Sequence, residues 1–240
     1  MLLAIDAGNS NIKVGLFDGA ELKAQRRLTG DELTQLAELD PQHLDAILVA
    51  SVVPALNPAL TRVSQDHFNL TPIFVDHTTP TGLKILYDTP AQLGADRIVD
   101  AVAAVAKYGA PCIVVDFGTA TTFNAINAAG EFLGGAISPG LMTCSEALFA
   151  RAAKLPRVNF ERPEKVIGSS TVAAIQSGLY HGYTGLVDGV LEQMIAEMNV
   201  KPRVIATGGL AHAIASRYIE VRDDTLTLEG LRLVYERIKF

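Results

Sequence analysis

Two stretches place an acid, a glycine and small hydroxyl or amide residues in the same order, 110 residues apart. The first is Asp6-Ala7-Gly8-Asn9-Ser10-Asn11-Ile12-Lys13. The second is Asp116-Phe117-Gly118-Thr119-Ala120-Thr121-Thr122. Backbone N–H groups in a glycine loop, with short polar side chains, suit an anion, because glycine lets the chain approach closely. Lys13 could neutralise a terminal phosphate. Thr119 and Thr121 offer hydroxyls to phosphate oxygen or to a metal. Asp6 and Asp116 would be useful beside a polyphosphate only with cations between. Their bland alternative is an Asx-type bond that fixes each turn.

A third group lies after a proline-rich loop, at Gly94-Ala95-Asp96-Arg97. Two readings are open there. Asp96 could complement a helix dipole while Arg97 is solvated. Alternatively, Asp96 is a general base and Arg97 grips a carboxylate with its two-pronged donor set. Tyr87 could line the same pocket. Other chemistries are excluded. No Gly-Lys pair allows a P-loop, no Gly-x-Gly allows a dinucleotide fingerprint, and the five histidines lack metal-ligand spacing.

The elements that must carry these residues follow from periodicity. Apolar runs Leu2–Ile5 and Ile113–Val115 each end in one of the aspartates. A second apolar run follows each loop and closes at Gly19 or Gly130. That is a strand, a tight turn and a returning strand, twice. Strands are expected at Leu2–Asp6, Ile12–Phe17, Glu21–Leu28, Ala46–Val52 and Ile73–Val75, with helices over 31–39 and 58–68. A helix from Gly94 to Tyr108 buries Ile98, Ala101, Val102 and Val105. The second half repeats the order, with strands at Cys112–Asp116, Thr121–Asn127, Glu131–Ile137 and Arg203–Ala206. Helices are expected over 141–154, 171–198, 210–217 and 228–238. The pattern predicts an α/β duplication with domains 1–108 and 109–240 and a cleft between them.

The long helix carries Gly178, Gly182, Gly185 and Gly189 on one face. Each costs about 1 kcal/mol against alanine, so close backbone approach is expected, either within the chain or to a second subunit. At 240 residues, 49% hydrophobic and 19% charged, the chain can build a core. A net charge of −6 without a basic cluster argues against nucleic acid or an anionic membrane as partner. No apolar run is long enough for a span, and none reads as a signal sequence. Cys112 and Cys144 read as reduced thiols of a cytoplasmic protein.

These residues, with Gly134-Gly135-Ala136-Ile137-Ser138-Pro139-Gly140 and Gly168-Ser169-Ser170-Thr171, resemble the type III pantothenate kinases of bacteria. The resemblance implies duplicated ribonuclease H-like (actin-like ATPase) domains, each a mixed sheet flanked by helices. It implies ATP-dependent phosphorylation of pantothenate, the first step towards coenzyme A. The loop Asp6–Lys13 and Thr119 would bind ATP. Asp116 would hold a monovalent cation, potassium or ammonium, and Mg²⁺ would accompany the nucleotide. Tyr87, Gly94, Ala95, Asp96, Arg97 and Thr171 would contact pantothenate, with Asp96 as the base. A homodimer is also implied. Ser10 stands where threonine is commoner, and Ser169 where a basic residue is often seen. The competing readings are a kinase for another small alcohol or acid, and a non-catalytic nucleotide-binding regulator.

Overall fold

The computed structural model describes residues 1–39 and 43–239. The chain divides into two units. One comprises Met1–Ala110, Ala128–Leu133 and Thr225–Phe240; the other comprises Pro111–Asn127 and Gly134–Asp224. The expected division into 1–108 and 109–240 follows chain order, whereas this spatial division returns the C-terminal segment to the first unit.

In the first unit, β1 (Leu2–Ala7), β2 (Ile12–Asp18) and β3 (Glu21–Leu28) form an antiparallel meander. β4 (Ala46–Ser51) and β5 (Ile73–Phe74) add in parallel, in the order β3-β2-β1-β4-β5. The second unit repeats this arrangement. β6 (Cys112–Phe117), β7 (Ala120–Ile126) and β8 (Phe132–Pro139) are followed by β9 (Arg203–Thr207) and β10 (Val221–Arg222), in the order β10-β9-β6-β7-β8. Read from β8, the order and the parallel pairings match those of the first sheet. Gly19 (φ 58°) and Gly130 (φ 76°) both take the left-handed conformation that their turns need.

Both faces of the first sheet are covered. The period of two sends Leu3, Ile5 and Ala7 into one cluster with Leu36 and Leu60. Leu60 belongs to α1 (Asn57–Phe68). Leu2 and Ala4 enter the opposite cluster with Val99 and Val102 of α2 (Ala95–Tyr108) and Leu231 and Val234 of α5 (Leu226–Ile238). By the same alternation Asp6 lies on the α2 face. In the second unit Ile113, Val115 and Phe117 join Leu141 of α3 (Leu141–Arg151) and Tyr183, Val187 and Leu191 of α4 (Thr171–Met198). Ser170 caps α4 by accepting from the Ala173 N–H.

Two expected helices differ. Residues Gly30–Leu39 form a 3₁₀ helix. Leu33, Leu36 and Leu39 recur every third residue, and three residues per turn aligns them all on the core. Residues 210–213 form turns and 214–217 are irregular, instead of a helix. The Arg222 guanidinium donates to the carbonyls of Ala211 and Ile214, 3.0 Å each, holding this non-helical stretch against β10. Helix α3 stops at Arg151, short of 154, because Ala152 leaves helical geometry (φ −114°, ψ 84°).

Close contact between α2 and α5 depends on Gly230. A Cβ there would lie 2.1 Å from the Val99 carbonyl oxygen. Helix propensity alone would make Gly230→Ala stabilising by about 1 kcal/mol. The contact predicts instead a loss of roughly 1–3 kcal/mol, the range for overpacking. Urea unfolding followed by circular dichroism decides between the two, and a midpoint raised by the substitution would contradict this account.

Candidate active site

In the first unit, strand register assembles the site. Asp6 on β1 is the cross-strand partner of Lys13 on β2, so both project from the same face. The Lys13 Nζ stands 3.9 Å from Asp6 Oδ2, and each side chain is 14% exposed. Between the strands, the Gly8 N–H donates to the Asn11 carbonyl (3.1 Å), which closes the loop. Asn9, Ser10 and Asn11 are exposed at its tip. Ala7 and Ile12 turn into the core at 0% and 1% exposure, so a ligand would reach them only through backbone.

Asp96 occupies the first turn of α2 and is half-buried. Its Oδ1 accepts from the Arg97 N–H at 2.7 Å. Burial pushes its carboxyl above the usual carboxylate range, against the opposing pull of that N–H and of the Arg97 and Lys13 charges. Gly94 precedes it for a steric reason: a Cβ at 94 would lie 2.5 Å from Asp96 Oδ1. Ala95 is in the core, 7% exposed.

Arg97 is not a solvated surface group. It is 6% exposed. Its guanidinium lies 5.7 Å from the Tyr87 ring centroid and 5.6 Å from that of Phe132, within cation–π range of both. The two rings meet edge to face at 6.2 Å. Phe132 is absent from the sequence expectations, since a lone phenylalanine in a strand pattern carries no site signal. Beside Tyr87 opens a cavity of about 330 Å³, lined by Leu86, Tyr87, Asp88, Thr89, Gln92 and Leu133. This volume lies at the lower end of small-molecule pockets, about 300–1,000 Å³.

In the second unit Asp116 lies near the end of β6, in register with Thr122 and Thr207. Gly208 (φ 92°) lies against it; a Cβ there would come within 2.3 Å of Asp116 Oδ1. The Thr207 hydroxyl is buried and lacks a hydrogen-bond partner among the described residues. Sequence reading missed Thr207, whose relation to Asp116 exists only through parallel pairing. Thr119 is exposed, and its carbonyl accepts from the Gly140 N–H (3.0 Å) and the Thr143 hydroxyl (2.7 Å). Thr121, expected to offer its hydroxyl to phosphate or metal, is instead fully buried and hydrogen-bonded to the Tyr183 hydroxyl. Its parity on β7 turns it toward α4. Thr171 is exposed at the start of α4.

The structure therefore gathers Asp6, Lys13, Tyr87, Asp96 and Arg97 in one unit, and Asp116, Thr119 and Thr171 in the other. A family model described as type III pantothenate kinase matches residues 2–193. The chain belongs to the type III pantothenate kinase family. A type III pantothenate kinase of Solibacter usitatus is 47% identical, over 99% of this chain and 97% of that one. Among solved structures, one described as a Baf family transcriptional activator from Campylobacter jejuni matches with a TM-score of 0.62 and 22% identity, covering 99% of this chain and 98% of the other. The ROK hexokinase of Thermus thermophilus matches with a TM-score of 0.55 at 12% identity, covering 99% of each. The structural likenesses establish the fold, the duplicated α/β arrangement of actin-like ATPases and ROK kinases, with two mixed sheets flanked by helices.

The raised carboxyl of Asp96 has a thermodynamic consequence. Stability tied to its protonated form is fully present below the unfolded aspartate pKa, about 3.9. It is lost as pH rises through the higher folded value. Asp96→Asn removes this titration. The variant should gain stability relative to wild type as pH climbs through that window, and the gain should level off above it. Urea unfolding of both proteins between about pH 4 and 8 measures this; a difference independent of pH would refute it.

Proposed function

We propose that this protein transfers the γ-phosphoryl group of ATP to the primary hydroxyl of pantothenate, giving 4′-phosphopantothenate and ADP, the first step of coenzyme A synthesis. The observation that carries the reading is Asp96: a half-buried carboxyl at a helix tip, flanked by the Lys13 and Arg97 charges, in a chain of this family.

In the first unit, the loop Asp6–Lys13 takes the nucleotide. Exposed Asn9, Ser10 and Asn11 supply polar contacts, and the Lys13 ammonium offsets phosphate charge. Asp6 would help hold the Mg²⁺ that accompanies ATP, and that ion would supply positive charge to offset the phosphates. Arg97, within cation–π range of the Tyr87 and Phe132 rings, anchors the pantothenate carboxylate, with Tyr87, Gly94 and Ala95 as further contacts in the first unit. The pantothenate hydroxyl oxygen attacks the γ-phosphorus as the bond to the β,γ-bridging oxygen breaks. The hydroxyl proton passes to the Asp96 carboxylate. Phosphoryl transfer needs alignment and charge neutralisation more than covalent chemistry.

The residues around Asp116 fit a monovalent cation. One carboxylate, a buried hydroxyl in register at Thr207 and the adjoining backbone make an oxygen-only donor set. Among the described residues no group of three or more acidic, histidine or cysteine side chains gathers around a candidate metal position. A potassium or ammonium ion held there would offset the charge of the Asp116 carboxylate.

We also read the protein as a cytoplasmic homodimer joined through α4. Gly178, Gly182, Gly185 and Gly189 are exposed, and a Cβ on any of them would meet nothing within 4 Å outside the helix itself. That favours the second-subunit explanation of the stripe. No helix among the described residues is long and apolar enough to cross a membrane, and both cysteines are free thiols.

Purified protein with ATP, Mg²⁺, potassium and pantothenate should form phosphopantothenate, with ADP in equal amount. ADP release with a sugar or acetate but not pantothenate would indicate another acceptor. No turnover with any acceptor would indicate a non-catalytic nucleotide-binding protein. Asp96→Asn should lower kcat by at least about 100-fold, the scale of general-base catalysis, and leave the KM for ATP nearly unchanged. Replacing potassium by sodium should abolish most activity; equal rates would remove the Asp116 assignment. Sedimentation should give twice the chain mass, and Gly182→Leu should shift it to the monomer.

A further inference from the structure

We propose that Arg237, on the last turn of α5, is a positioning residue for the acceptor pocket, because it locks the strap that presents Tyr87. The proposal rests on the acceptor-pocket reading above. The strap is the segment between β5 and α2, and it enters the pocket region from Thr81. The Arg237 Nη1 donates to the Thr81 carbonyl at 2.6 Å. Thr81 itself is buried, and its hydroxyl accepts from the Leu83 N–H at 3.2 Å. The guanidinium lies directly against Gly82, which takes φ 74°; a Cβ there would fall 1.6 Å from Nη1. Glycine is therefore required twice at 82, for its conformation and for the space Arg237 occupies.

The next residues are fixed in turn. Leu83 packs on the cluster containing Val99, Leu231 and Val234, at the α2–α5 interface. The Phe132 N–H donates to the Lys84 carbonyl and the Leu86 N–H to the Phe132 carbonyl, 2.8 Å each. The Lys84 ammonium meets the Glu131 carboxylate at 2.5 Å. Tyr87 follows immediately, with its ring against Arg97. The strap is thus held at Thr81 by α5, and again at Lys84 and Leu86 by Phe132 at the start of β8. Helix α5 also packs directly on α2, which carries Asp96 and Arg97. One terminal helix therefore sets the strap and the catalytic helix relative to each other. A charge-assisted bond to a buried carbonyl is among the stronger single tethers available. Its loss frees backbone between the two anchors while the core beneath stays intact.

The full chain is tested as Arg237→Ala, Arg237→Lys, Gly82→Ala and the Arg237→Ala/Gly82→Ala double variant. Arg237→Ala should raise the KM for pantothenate about tenfold, the scale of one lost charge-assisted hydrogen bond. The KM for ATP should be unchanged. Arg237→Lys keeps a donor and should recover most of the loss. Gly82→Ala displaces the guanidinium and should resemble Arg237→Ala, and the double variant should be no worse than either alone. Amide hydrogen exchange, read without any substrate, should show the Leu86 region exchanging faster in Arg237→Ala with β1 unaffected. Unchanged exchange there, or equal rises in both KM values, overturns the proposal. Faster strap exchange in a protein whose wild type does not phosphorylate pantothenate upholds the tether and overturns the substrate reading instead. Should Arg237→Ala fail to fold, Arg237→Lys and Gly82→Ala carry the same comparison.

Discussion

A carboxyl group held partly out of water at a helix tip is costly, and much of the first unit is arranged around that cost. Desolvation disfavours the Asp96 charge, while the Arg97 N–H, the Arg97 guanidinium and Lys13 favour it. The balance leaves a group more basic than an ordinary aspartate, the direction that favours a proton acceptor. Each supporting part has its own cause. Gly94 leaves space for the carboxylate. Helix α2 is fixed by a nearly continuous buried surface, Ile98 through Ala104. Arg97 lies against the Tyr87 and Phe132 rings and beside Asp96.

The duplicated topology gives two sheets of the same order, and small differences give them different electrostatic characters. In the first, the aspartate ending the leading strand faces a lysine across the hairpin. In the second, the equivalent aspartate faces threonines on both neighbouring strands, with a left-handed glycine against it. One position is thereby matched to a cationic side chain and the other to an oxygen-rich surround. The same backbone hydrogen-bond ladder positions both carboxylates, so function diverges through side chains alone.

The C-terminal helix shows how chain order and spatial order part company. Residues from Thr225 onward close the core of the first unit, where Gly230 admits the Val99 backbone and Arg237 reaches the Thr81 carbonyl. A pocket formed early in the chain is braced by its last helix. Sequence periodicity cannot reveal such a brace, because a contact between residues 81 and 237 leaves no local pattern.

What could be read without coordinates was whatever local spacing controls. Alternation and turn glycines marked both hairpins. The apolar stripe marked α2, and the repeated Asp-x-Gly motif marked the duplication. The family resemblance pointed to Asp96 and Arg97, where residue chemistry alone left two readings open. Register and long-range packing decided the rest. Lys13 had no assignable direction until its pairing with Asp6 turned both to the α2 face. Thr121 looked available until its parity buried it against Tyr183. Instead of the expected helix, residues 210–217 form turn and irregular structure, with Arg222 of β10 bonded to the carbonyls of Ala211 and Ile214. Backbone propensity is a local energy and is written in the sequence; which polar group finds which partner is a global one, settled only when distant strands and helices come together.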